Sequence, residues 1–175
     1  PLFLGDQDFW GQGNEATIGF LRQAEIKHGR VAMAAFVGFI VHAQGITWPF
    51  PMRLDGTPWP TADSVPELWD KIPEASKWQV ITFIGALEWF DEWQIFNEGS
   101  ELNPTADKPK HYMRGGMPGK FAPFDGLPLP LNLFDPFKLS RKKTDEQLAK
   151  GRIAEVNNGR LAMFGIMGLS LIHIS

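Results

Sequence analysis

Residues 24–34, Ala24-Glu25-Ile26-Lys27-His28-Gly29-Arg30-Val31-Ala32-Met33-Ala34, return 130 positions later as Ala154-Glu155-Val156-Asn157-Asn158-Gly159-Arg160-Leu161-Ala162-Met163-Phe164. Comparing residues 24–40 with 154–170 gives seven identities, the last of them Gly38 against Gly168. An internal repeat constrains the fold before composition does, because one structural unit has to serve twice.

Each copy places a carboxylate, a nitrogen or amide ligand three residues on, and an arginine two further, just before an apolar run. Residues i and i+3 are neighbours on a helix, so Glu25 with His28 and Glu155 with Asn158 each project from one side. The arginine lies well round the helix from its own glutamate and suits a partner on another helix. Two copies related by a pseudo-twofold axis would pair Glu25 with Arg160 and Glu155 with Arg30. A carboxylate paired in this way is tolerated at the edge of an apolar layer and keeps a lone pair for a metal. Glycine at 29 and 159, with alanine at 32 and 162, lets the two helices cross closely.

Two other readings stay open on spacing alone. A charged entrance before an apolar run also describes an ordinary buried helix. The Glu-x-x-His spacing also occurs in carboxylate di-iron bundles, but that site needs two such motifs and two further inward glutamates, and the second copy carries Asn158. The Gly11-x-Gly13-x-x-Ala16 pattern lacks the preceding apolar strand that a dinucleotide site requires.

Along the chain, a first helix is expected over about 15–47, since residues 31–52 carry no Lys, Arg, Asp or Glu and their 22 positions could span a membrane. His42 stands fourteen residues after His28, on nearly the same face at the other end. Ser64-Val65-Pro66-Glu67 reads as a capping box for a short helix ending near Ile72. A second long helix is expected over about 73–97, entered through Pro73, with Gln79 and Glu88 two and a half turns apart on it. Residues 98–140 read as a long irregular loop with seven prolines and five glycines. A third helix is expected over about 142–174, capped by Ser140 or Thr144, with His173 near its end. Basic residues precede the first and third apolar runs, which puts both N-terminal ends on one side of a membrane, with the middle helix returning between them.

The paired motifs, Glu-x-x-His-Gly-Arg-x-Ala-Met and Glu-x-x-Asn-Gly-Arg-Leu-Ala-Met, resemble those of the light-harvesting chlorophyll-binding family over most of the chain. The Gln79–Glu88 pair resembles the middle helix of its chlorophyll a/c branch. Residues 111–119 resemble a loop of dinoflagellate members. The resemblance implies an all-α membrane protein, a single antenna domain over 1–175 with three transmembrane helices, the first and third crossed. It implies Glu25, His28, Gln79, Glu88, Glu155 and Asn158 as axial ligands of chlorophyll magnesium, with His42 and His173 as weaker candidates and Arg30 and Arg160 as the inter-helix ion-pair partners. Met33, Met163 and the Asp135-Pro136-Phe137 segment are implied carotenoid contacts. Implied cofactors are chlorophyll a, chlorophyll c and carotenoids of the peridinin, fucoxanthin or diadinoxanthin type. Implied partners are a photosystem core, I or II, neighbouring antenna subunits and the lipids of a plastid thylakoid membrane. A photoprotective, energy-dissipating member of the same family is the alternative.

Composition agrees with that frame. A net charge of −3 offers no basic stripe for nucleic acid. Without cysteine there is no disulfide, thiolate site or cysteine nucleophile. No nucleophile-elbow sequence is present, so the expected work is physical, not catalytic. Fourteen phenylalanines and seven tryptophans against one tyrosine suit pigment pockets and membrane interfaces as well as a core. A chain beginning at Pro1 instead of Met fits prior removal of a targeting segment.

Overall fold

In the computed structural model the described residues are 11, 13–61, 64–96, 111–120 and 143–174. They form four α-helices and a short 3₁₀ turn: α1 (Asn14–Ala43), α2 (Val65–Lys71), α3 (Glu74–Phe96), the turn Tyr112–Arg114, and α4 (Asp145–Ile174). α1 packs chiefly on α4 and on the Tyr112–Arg114 turn, and touches α2.

The crossing of α1 and α4 is set by two glycines. A Cβ built on Gly29 would lie 3.0 Å from the Gly159 Cα, and one on Gly159 would lie 2.9 Å from the Gly29 Cα. The second is closer than a side chain allows and the first is at that limit, so the two backbones touch there. One turn farther along, Ala32 is buried, and the Phe36 ring lies 3.0 Å from where a Cβ of Gly165 would stand. Small residues and one aromatic thus hold the helices against each other over about two turns.

Helix ends follow local chemistry. α4 opens on a reciprocal cap: the Gln147 amide donates to Thr144 Oγ1 at 3.4 Å, and the Thr144 amide donates to Gln147 Oε1 at 3.2 Å. Pro73, with no amide of its own to satisfy, precedes α3, and its carbonyl accepts from Ser76 and Lys77. The expected capping box at Ser64 does not form, for the Ser64 side chain makes no cap hydrogen bond. α1 stops at Ala43, short of 47, because the chain turns at Gly45 with φ of 70°.

That early stop corrects the hydropathy reading. Only residues 31–43 of the charge-free stretch are helical, and the rest belongs to the loop that follows. Among the described residues no helix is long and apolar enough to cross a membrane. The physical reason is where the charges sit: Glu25, Lys27 and Arg30 lie within α1, Glu88, Asp91 and Glu92 within α3, and Glu155 and Arg160 within α4.

The surface is inverted relative to a protein that folds around an apolar centre. Buried side chains include Thr17, Gln23, Asp91 and His111, while Phe164, Leu161 and Val31 are 76%, 72% and 69% exposed.

Candidate pigment site at the helix crossing

The charged residues of the two motifs meet across the glycine contact. Arg30 Nε donates to Glu155 Oε1 at 2.6 Å, and Arg160 Nε donates to Glu25 Oε1 at 2.6 Å. Each bond occupies one carboxylate oxygen, and Oε2 keeps its lone pairs. A third glutamate is paired in the same manner, since Lys27 of α1 donates to Glu88 Oε2 of α3 and also lies 3.9 Å from Asp91 Oδ2. Glu25, Glu155 and Glu88 are therefore each matched by a cation from a different helix.

His28 and His42 make the same ring bond. His28 Nδ1 lies 2.7 Å from the Ala24 carbonyl oxygen and His42 Nδ1 lies 2.8 Å from that of Gly38. A carbonyl only accepts, so Nδ1 carries a proton, and in the neutral ring that leaves the lone pair on Nε2, the arrangement a metal-binding imidazole requires. Both rings are on exposed residues. Asn158 and Met33 are brought together in an apolar groove of about 770 Å³ between α1 and α4, walled by Phe36, Val37, Leu161 and Phe164. Met163, half-buried one residue past Ala162, is not part of that wall. Gln79 is exposed near the start of α3. Asp135, Pro136 and Phe137 and the side chain of His173 lie outside the described residues.

Residues 111–120 form a strap along α1, which a reading of the loop as irregular did not anticipate. A Cβ on Gly19 would collide with the Tyr112 carbonyl oxygen. The Gly119 amide donates to Gln23 Oε1, and Arg30 Nη2 donates to the Gly119 carbonyl at 2.9 Å. Arg30 thus joins the strap to the Glu155 carboxylate with one guanidinium. At the other end of the strap the Met113 amide donates to His111 Nδ1 at 3.1 Å, so His111 Nε2 bears the proton and donates to Glu92 Oε1 at 3.2 Å. The Tyr112 hydroxyl donates to the same oxygen at 2.7 Å. Burial, then the hydrogen bond to Glu92, raise the Tyr112 phenol above its ordinary value.

Lys27, Gln23, Gly119 and His111 were given no role at the site by sequence reasoning. A usable signal existed for Lys27: it precedes the motif histidine where the second copy has Asn157, and the Glu88, Asp91, Glu92 triplet on the middle helix calls for a cation. Nothing comparable marks Gln23. Among the described residues no group of three or more His, Asp or Glu side chains could hold a metal ion.

The sequence also matches known proteins. The family described as chlorophyll A-B binding protein matches residues 1–174. The chain is 32% identical over 159 residues to a chloroplastic fucoxanthin-chlorophyll a-c binding protein of Trieres chinensis, covering 87% of this chain and 64% of that one. It is 33% identical over 152 residues to one of Isochrysis galbana, covering 85% of this chain and 60% of the relative. Against fucoxanthin-chlorophyll a-c binding protein D of Phaeodactylum tricornutum it is 28% identical over 163 residues, 92% of this chain and 68% of the other. The chain thus spans about two thirds or less of the length of these relatives.

Proposed function

Because the chain belongs to the chlorophyll A-B binding protein family, we propose that it is a light-harvesting antenna subunit that holds chlorophylls and carotenoids and passes their excitation to a photosystem. It is a pigment-binding protein, not an enzyme. The observation that carries the reading is the reciprocal pair of Glu–Arg bonds at the crossing, each leaving a carboxylate oxygen for a metal centre.

The donors present fit chlorophyll. Its Mg²⁺ takes hard oxygen ligands and accepts imidazole nitrogen, and it supplies light absorption when bound. Glu25, Glu155 and Glu88 offer charge-compensated carboxylates, His28 an imidazole nitrogen, and Asn158 and Gln79 amide oxygens. The protein's part is to fix and orient these ligands, as in other cofactor proteins. Arg30, Arg160 and Lys27 neutralise the carboxylates, and the Gly29–Gly159 contact sets the distance between the two ligand sets. Met33 beside Asn158, and the groove they share, suit a carotenoid polyene. The names of the relatives favour chlorophylls a and c with fucoxanthin.

A plastid thylakoid is the membrane that this reading implies, with α1, α3 and α4 as its three crossings. At about 1.5 Å per residue, α1 and α4, each of 30 residues, reach about 45 Å, and α3, of 23, about 35 Å. A hydrocarbon layer is about 30 Å thick. Mutual pairing of the embedded charges offsets their hydropathy, and the exposed apolar surfaces of α1, α3 and α4 face lipid and pigment. Partners under this reading are a photosystem core and neighbouring antenna subunits.

The test is solvent extraction of the purified native protein with chromatographic identification of pigments. Chlorophylls a and c with a fucoxanthin-like carotenoid are expected, and a peridinin-like carotenoid would move the chain to the dinoflagellate side of the branch. A protein without chlorophyll would overturn the proposal.

A further inference from the structure

The two copies of the motif are alike in their own residues and unlike in what surrounds them. Gln23, one position before the first copy, is buried, and its Oε1 accepts from the Gly119 amide. Its counterpart 130 positions on is Ile153, which offers no acceptor and is 63% exposed. The Gly119 carbonyl in turn accepts from Arg30 Nη2 at 2.9 Å, while Arg30 Nε donates to Glu155 Oε1 at 2.6 Å. Gly119 suits this place because its φ is 81°, and a Cβ there would stand 3.0 Å from Ile26 Cγ2 and 3.3 Å from Arg30 Nη2. A line of bonds thus runs from Gln23 through the strap and Arg30 to Glu155. Among the described residues Arg160 has Glu25 as its one partner, and its side chain is 56% exposed against 27% for Arg30.

We propose that Gln23 and Gly119 are positioning residues that act through Arg30, holding the Glu155 carboxylate in one direction while that of Glu25 stays able to turn. A guanidinium is a rigid planar fork. Two bonds to acceptors on different segments fix its plane, whereas a single bond leaves rotation about itself. The carboxylate oxygen that Arg30 does not bond, Glu155 Oε2, therefore faces one way. The inference rests on the pigment-binding reading above and deepens it, for two ligands that the repeat makes chemically alike become unequal. A pigment on Glu155 keeps one orientation beside a stationary positive charge, and a pigment on Glu25 sits beside a charge that moves. Unequal fields separate the two in excitation energy, which a symmetric pair of motifs does not do by itself.

The experiment follows hydrogen exchange at the arginine Nε–H groups by nuclear magnetic resonance, in the purified full chain labelled with ¹⁵N-arginine, with the two signals assigned through Arg30→Lys and Arg160→Lys. In the unaltered chain the Arg30 signal is expected to exchange more slowly than that of Arg160. Gln23→Leu and Gly119→Ala should each speed Arg30 exchange about tenfold, the worth of one hydrogen bond to a charged group, and leave Arg160 as it was. Gln23→Glu keeps an acceptor for the Gly119 amide and should keep the protection. In the same samples Gln23→Leu should shift or broaden one chlorophyll band at low temperature with the chlorophyll count unchanged. Equal exchange at both arginines of an unaltered, chlorophyll-bearing chain would overturn the clamp and leave the antenna reading standing, and it decides the matter even should the variants fail to assemble. Exchange sped equally at both arginines by Gln23→Leu would also overturn it, as general loosening. Protection confined to Arg30 in a chain that holds no chlorophyll would uphold the clamp and sink the antenna reading.

Discussion

Alanine at position 159 is the sharpest probe of the crossing. Its Cβ would stand 2.9 Å from the Gly29 Cα, where ordinary contact begins at 3.4 Å. The backbones must therefore part by at least 0.5 Å, the difference of those two distances. A parting of about 1 Å would stretch the flanking 2.6 Å Arg–Glu bonds beyond good hydrogen-bond length. Overpacking of this kind costs about 1–3 kcal/mol, against a helix-propensity gain of about 1 kcal/mol for glycine to alanine. Gly151→Ala in the same helix is the control, because a Cβ there meets nothing within 4 Å. It retains only the propensity gain. Since that gain cancels in the comparison, the two variants should differ by about 1–3 kcal/mol. At about 2–4 °C per kcal/mol for a chain of this size, Gly151→Ala should melt clearly above Gly159→Ala when pigment-loaded protein is followed by circular dichroism at 222 nm. Equal shifts would show that the helices do not touch at these glycines.

Arg160→Leu removes the counter-charge of Glu25 and, under the proposed antenna function, should release a pigment held there, read as one chlorophyll fewer per polypeptide and a lower melting temperature; unchanged values of both would sink the pairing. Gly19→Ala puts a Cβ into the Tyr112 carbonyl, so the strap should lift and residues 111–120 should become a site of rapid proteolysis, with protection equal to the unaltered protein counting against a strap. Tyr112 is the only tyrosine in the chain, so a phenolate difference spectrum reports it alone. Its folded pKa is raised above the free value of about 10. Stabilisation by the protonated hydroxyl is therefore complete below about pH 10 and is lost as pH climbs through the raised value. Tyrosinate absorbance should be absent just above pH 10 in the folded protein and present in the denatured one, and coincident titrations would refute the Glu92 bond.

The reciprocal pairing was legible in the sequence because the motif occurs twice, and two copies of Glu-x₄-Arg on close-crossing helices leave few ways to satisfy four charges. The glycines declared the crossing for the same reason. Helix ends were less legible. A run free of charge says nothing of where the backbone turns, and α1 stopped at Ala43 with Gly45 turning the chain. Ser64 has the residue pattern of a cap without making the bond, whereas Thr144 with Gln147 makes it both ways. The strap's segment carried a resemblance, but its contacts could not be read. Its bonds run from Gly119 to Gln23 and Arg30, between segments about ninety positions apart with no shared period to announce them.

The two bonds at the crossing also fix a schedule. Arg30 finds Glu155 125 residues later in the chain, and Glu25 finds Arg160 135 residues later. At a synthesis rate of about 5–20 residues per second, α1 exists for roughly 6–25 s before either partner has been made. During that interval both of its motif charges lie at the edge of an apolar helix without their counter-ions. α1 therefore has its motif charges matched only when the last helix is present, and the two copies of the motif can come together only once nearly the whole chain is available.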